Sequence, residues 1–276
     1  MPEILDPIKR PPKPHDQIPH LFGRGGRDRA LLCLAANGPM TVRELARALG
    51  CDSHAAWKMV AGLLDAGLLV KRDRPGGRKY VAVNRAFPAY TDLMALLAKI
   101  ASHYPPPTTT VPGFRWGLQT DTSTFPSKRL DLIFASPVRS RVLLLIAASG
   151  SIVTSDVADL LGLDAVSAMY AVNHWERERV IRSRYIKRCR ILSLDDRWFA
   201  ATELRALLTT LTLHNSEYGG LGAIARQRHS LAVATGQRKN RKPEREAKID
   251  AINPSMNGRT THSDRRLKSR KTGKSV

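Results

Sequence analysis

The chain has 276 residues, 42% of them apolar, and its 45 Lys and Arg against 24 Asp and Glu give a net charge of +21. That apolar share fills one or two cores and the length suits two domains; the charge points to a polyanionic partner, nucleic acid ahead of an anionic membrane. No run of about 18 apolar residues occurs, Met1–Pro14 lack the apolar segment of a signal peptide, and Cys33, Cys51 and Cys189 are too scattered for a disulfide framework, so the expectation is a cytoplasmic, nucleoid-associated protein and no membrane partner.

Residues 1–20 form a proline-rich arm. From Arg27 to Asn37, apolar residues at 31, 32, 34 and 35 predict a core-facing helix ended by Asn37-Gly38. Thr41 and Glu44 have the spacing of a capping box for a short helix, VRELARAL, which Gly50 closes. Asp52 or Ser53 then caps a third helix, HAAWKMVAGLLDAG, stopped at Gly67. Leu68–Arg72 and Lys79–Val83 are predicted strands around the turn residues Asp73-Arg74-Pro75-Gly76-Gly77, and an apolar-periodic helix follows over Ala89–Ser102. Three helices, a hairpin and a helix are the order of a winged helix-turn-helix.

Shifted by 112 residues, the sequence meets itself. Fourteen of the 40 positions 21–60 are identical in 133–172 without a gap, where ordinary residue usage supplies about three or four. The register slips by one after about position 72, so that Val83-Asn84 meets Leu194-Asp195 and Phe87 meets Trp198. A duplicated module is the expectation: one winged-helix domain at 21–104 and another in tandem at 132–213. Residues 105–131, rich in Pro and Thr, are expected as an extended linker. The fold class expected is mainly α with small β-hairpin wings (α+β). Residues 214–276 are expected as a disordered basic tail, because the stretch 223–276 holds fifteen basic and four acidic residues with little apolar periodicity.

TVRELARALGCDSHAAWKMVAGLLDAGLL followed by a basic, glycine-tipped hairpin resembles the winged-helix class that contains the ArsR-like and MarR-like bacterial transcription regulators. LFGRGGRDRALL and YVAVNRAFPAYTDLMALL also look like bacterial winged-helix modules that sometimes precede a nucleotidyltransferase, but no catalytic Gly-Ser with paired aspartates is present. The resemblance covers about residues 21–100 and, more weakly, 133–210. It implies that the third helix of each module lies in a DNA major groove.

With Ala56, Val60, Leu63 and Leu64 packed inward, His54, Trp57, Lys58 and Ala61 fall on the groove side, with Ser53 at the helix N-terminus beside them, and the positions matching those four in the second module are Val166, Met169, Tyr170 and Asn173. Lys58 suits phosphate or guanine, Asn173 suits adenine, and Val166 or Met169 suits a thymine methyl. Ser53 also has an N-capping role open to it, and Trp57 and Met169 a place in the core. The first wing carries Lys71, Arg72, Arg74, Arg78 and Lys79; the second carries Arg182, Arg184, Lys187, Arg188 and Arg190 with no acid between them and no glycine at the tip. So many like charges on a short hairpin are favourable along phosphates or in a narrow minor groove.

No catalytic residue or cofactor is expected: GxxxxGK[ST], HExxH, GxSxG and CxxC are all missing. Gly23-Arg24-Gly25-Gly26 has no preceding strand and leads into the first helix. No metal is expected either. Leu145 and Leu163 stand where Cys33 and Cys51 do, which makes those cysteines core residues, and the eight histidines show no ligand spacing. The partner expected is double-stranded DNA, bound by a sequence-specific transcription regulator with two non-identical heads. A homodimer is compatible with this, and the sequence names no small-molecule effector. Two other readings stay open: a plasmid or mobile-element replication or partition protein, and a winged-helix module for protein interaction or chromosome architecture.

Overall fold

The computed structural model describes residues 20–23, 26–73, 79–107, 131–134, 136–186 and 189–235, all within one compact unit. The proline-rich arm through residue 19, linker residues 108–130 and the tail from 236 lie outside the described residues.

The N-terminal half runs α1 (Arg27–Asn37), α2 (Val42–Leu49), α3 (Ser53–Asp65), β1 (Leu69–Asp73), β2 (Lys79–Val83) and α4 (Tyr90–His103). Local chemistry sets these bounds. The capping box forms: the Glu44 amide donates to Thr41 Oγ1 at 3.2 Å and the Thr41 amide to Glu44 Oε2 at 2.7 Å. Gly50 closes α2 at φ 65°, and Asp52 caps α3 by accepting the Ala55 amide at 2.8 Å. The two strands pair antiparallel, and Met40 bridges to Val81 beside them. The result is mainly helical with small antiparallel sheets, the fold class expected.

The C-terminal half runs α5 (Pro137–Ser149), β3 (Ser151–Val153), α6 (Thr154–Leu161), α7 (Ala165–Arg177), β4 (Ile181–Ile186), β5 (Cys189–Leu194) and α8 (Ala201–His214). Its sheet has the order β3-β5-β4, with Ile152 opposite Leu192 where Met40 meets Val81 in the first half. Small hydrogen bonds recur at the sequence shift. Arg29 donates to the Leu49 carbonyl and Arg141 to that of Leu161; Asp52 caps α3 and Asp164 caps α7. Gly67 and Arg179 hold the same place with φ of 72° and 58°. That left-handed conformation suits glycine and costs an arginine of order 1–2 kcal/mol.

The halves share one hydrophobic core. Phe22 stacks on Phe134 at 5.9 Å between centroids, and Phe199 receives the rings of His103 and Tyr104 at 4.7 and 5.8 Å. Helix α4 packs on α8, where Thr210 Oγ1 donates to Asp92 Oδ2 at 2.6 Å. Each buried aromatic or aliphatic chain of this kind is worth about 1.5–3 kcal/mol, so the joint core holds both halves in place.

One expectation is corrected here. The sequence predicts a disordered tail from 214, yet Ser216–Thr235 form α9 against α5 and β3. Tyr218 is buried and donates its hydroxyl to Asp131 Oδ1 at 2.9 Å; burial, with that carboxylate beside it, pushes the phenol's pKa up. Gly222 lies so close to α5 that a Cβ there would sit 2.7 Å from the Ala148 carbonyl oxygen. Arg226 donates to the same carbonyl, and His229 Nδ1 lies 3.3 Å from Ser151 Oγ. Glycines that weaken an isolated helix here permit close approach between helices, which polarity and periodicity alone do not reveal.

Candidate nucleic-acid interface

Helix α3 and strand β1 bring exposed side chains together at the surface. Val60, Leu63 and Ala56 of α3 are buried, and this turns Ser53, His54, Trp57 and Lys58 outward, all exposed. Asp52 is the N-cap, so Ser53 is the first helical residue and the capping alternative for it falls away. Accepting the Ala55 amide holds the Asp52 carboxyl below its usual pKa. Trp57 projects outside the core, and Lys71 of β1 lies with its ammonium 4.9 Å from the Trp57 ring centroid. This cation–π contact joins wing to helix at the surface. Arg43 and Arg47, one turn apart on α2 and both exposed, are further cations to which the third-helix and wing motifs do not point.

In the second half Ala168, Ala171, Val172 and Trp175 face inward and Val166, Met169, Tyr170 and Asn173 face outward. Met169 is likewise outside the core. Tyr185 on β4, not anticipated as a surface residue, is strongly exposed. Alternation puts Tyr185 on one face with buried Ile181 and half-buried Ser183, so period alone does not reveal its exposure; its place toward the far end of the strand does.

The wings are less uniformly free than their sequences suggest. Arg190 is half-buried and ion-paired with Glu176 of α7. Arg182 pairs with Asp196 at 3.2 Å, and Asp196 also receives Arg205, an interaction that holds its carboxyl below the usual range. The hairpin has no acid within it; the acids arrive from elements packed beside it. Arg184 and Lys79 are exposed, and Lys71 is taken up by Trp57. Arg72 is half-buried and lines a cavity of about 320 Å³ with Arg85, Tyr90 and Met94. Arg74, Arg78, Lys187 and Arg188 lie outside the described residues.

Helix, short helix, third helix, hairpin and closing helix, with the third helix exposed along one side, form a winged helix-turn-helix. Residues 29–79, from α1 to the start of β2, match the model of the MarR family. The first half is a MarR-like winged helix. The resemblance seen in TVRELARALGCDSHAAWKMVAGLLDAGLL therefore holds, and the MarR-like match identifies a DNA-binding transcription regulator in kind. No curated protein matches the sequence. Within the MarR-like half Cys33 is buried with its Sγ 3.9 Å from Met40 Sδ, while Cys51 packs at the edge of the core. Among the described residues no group of three His, Cys, Asp or Glu could hold a metal ion, and no helix is long and apolar enough to cross a membrane.

Proposed function

We propose that this chain regulates transcription by binding a specific duplex through two non-identical winged-helix heads, residues 21–104 and 132–213. The observation that carries the reading is the pair of exposed helix faces at matching positions, 54, 57 and 58 on α3 and 166, 169 and 170 on α7. Each would enter a major groove, with Lys71, Lys79 and Arg184 toward the backbone. Beyond Thr235 the sequence carries thirteen basic and four acidic residues. That stretch adds sequence-independent, salt-sensitive affinity by displacing condensed counterions.

A dimeric regulator presents two copies of one face and so reads a palindrome. Here the faces differ and both belong to one chain, so the expected target is asymmetric. Selection from randomised duplexes with the full chain tests this: two unlike half-sites are the expected yield, and perfect inverted repeats contradict the two-head reading.

A further inference from the structure

We infer that the second head selects A·T base pairs through their thymine methyl groups, an inference that rests on the duplex-binding function proposed above. The outward face of α7 is apolar: Val166, Met169 and Tyr170 are 56%, 45% and 67% exposed. From Ala165 through Trp175 the helix has no Asp, Glu, Lys or Arg. The inward face already fills the core, so folding does not require this outer row. A contiguous exposed apolar patch on a folded protein marks an interaction site.

The wing extends that patch. In the first half Lys71 of β1 reaches over Trp57 of α3. The corresponding residues are Ser183 of β4 and Met169 of α7. Tyr185, 71% exposed, is two residues beyond Ser183 and therefore on the same face of the strand. The second head thus brings an apolar helix row and an aromatic wing residue to one surface, where the first head offers a lysine-capped tryptophan, His54 and Lys58.

Thymine's C5-methyl is the one apolar group that a base pair shows in the major groove, and the opposing adenine edge there pairs with an asparagine amide. Asn173 is exposed on the same α7 face, one turn on from Met169 and Tyr170. Apolar residues and one amide therefore match both edges of an A·T pair, and from Ala165 through Trp175 no cationic donor serves guanine's O6 and N7 as Lys58 can in the first head.

The test uses the full-length chain and the duplexes it retains from a randomised pool, with each thymine replaced singly by deoxyuridine, which deletes only the methyl. The expected result is weakening of about fourfold at each contacted thymine, the worth of one buried methyl-sized group, at two or more thymines of one half-site and none of the other. In the Met169→Ala/Tyr170→Ala double variant the cost should vanish at one or more of those thymines, and any thymine held by Val166 or Tyr185 should keep its own. Both residues are surface-exposed, so the fold is retained, and the uracil scan of the unaltered protein requires no variant. Silence of every uracil replacement on a duplex that still binds overturns the inference and leaves the duplex-binding function standing. Failure to retain any duplex, or retention of single strands alone, overturns that function and the inference with it.

Discussion

Asp28 sits fully inside the core, in the first turn of α1, with Oδ1 accepting the Phe22 amide at 2.8 Å and Oδ2 without a hydrogen-bond partner. Burial, with the Glu178 carboxylate adding to it, pushes its pKa up to about 7. A carboxyl raised in the folded state binds its proton more tightly there than in the unfolded chain. Its contribution to stability is therefore greatest below about pH 4 and is lost as pH rises toward 7, on the order of 4 kcal/mol at most. Ser140 holds the same place in the second half, accepting the Phe134 amide at 2.8 Å and donating to the Phe134 carbonyl, with no charge to titrate. Asp28→Ser should accordingly flatten the decline. In chemical denaturation the variant should gain on the parent protein between pH 5 and pH 8; a constant difference across that range contradicts the assignment. Nothing in the sequence marked Asp28 as buried, because an acid in the first turn of a helix normally faces solvent and the helix dipole.

At the level of elements, α9 depends on one close approach. Gly222 has the Ala148 carbonyl against it, whereas Gly220, two residues earlier, has open space. Replacing helical glycine by alanine favours the helix by about 1 kcal/mol where nothing is struck. Gly220→Ala should therefore raise the thermal midpoint and Gly222→Ala should lower it, with faster amide exchange confined to α9 and the α5 end beneath it. Equal effects of the two substitutions would mean that α9 does not dock through Gly222. The contrast with α1–α3 explains what the sequence disclosed. Those helices announce themselves through local signals: the Thr41–Glu44 box, the glycines at 50 and 67, and the buried row at 56, 60 and 63. Helix α9 is held by Tyr218 to Asp131 and by Arg226 to Ala148, 87 and 78 residues away in sequence, and such pairings leave no short-range period. The wing arginines fail for the same reason. Glu176 and Asp196, which neutralise Arg190 and Arg182, each lie 14 residues from their partner. Trp57 and Met169 were ambiguous between core and surface because a helix whose opposite face is also apolar offers no contrast to read.

For the whole molecule, the joint core has a thermodynamic consequence. Phe22, Phe134, Leu96, Leu97, Leu207 and Leu208 belong to one buried cluster spanning both halves. Exposing the α4–α8 face by melting one half alone would leave the other with a large wet apolar surface. Calorimetry on the full chain should show a single cooperative transition whose van't Hoff and calorimetric enthalpies agree; two resolved transitions would show that the halves are stable apart. On the two-head reading proposed above, the same core would hold α3 and α7 in one relative placement and so set the spacing of the two half-sites.

The ion pair between Arg190 and Glu176 links the second hairpin to α7. Lys79 and Leu64 occupy those places in the MarR-like half, where no such pair can form. The second hairpin is thus tied to α7 by an ion pair, while the first hairpin meets α3 through the Lys71–Trp57 contact. On the two-head reading proposed above, a duplex whose groove width differs from the preferred one would be accommodated at the first wing, by pivoting, and at the second by bending the DNA.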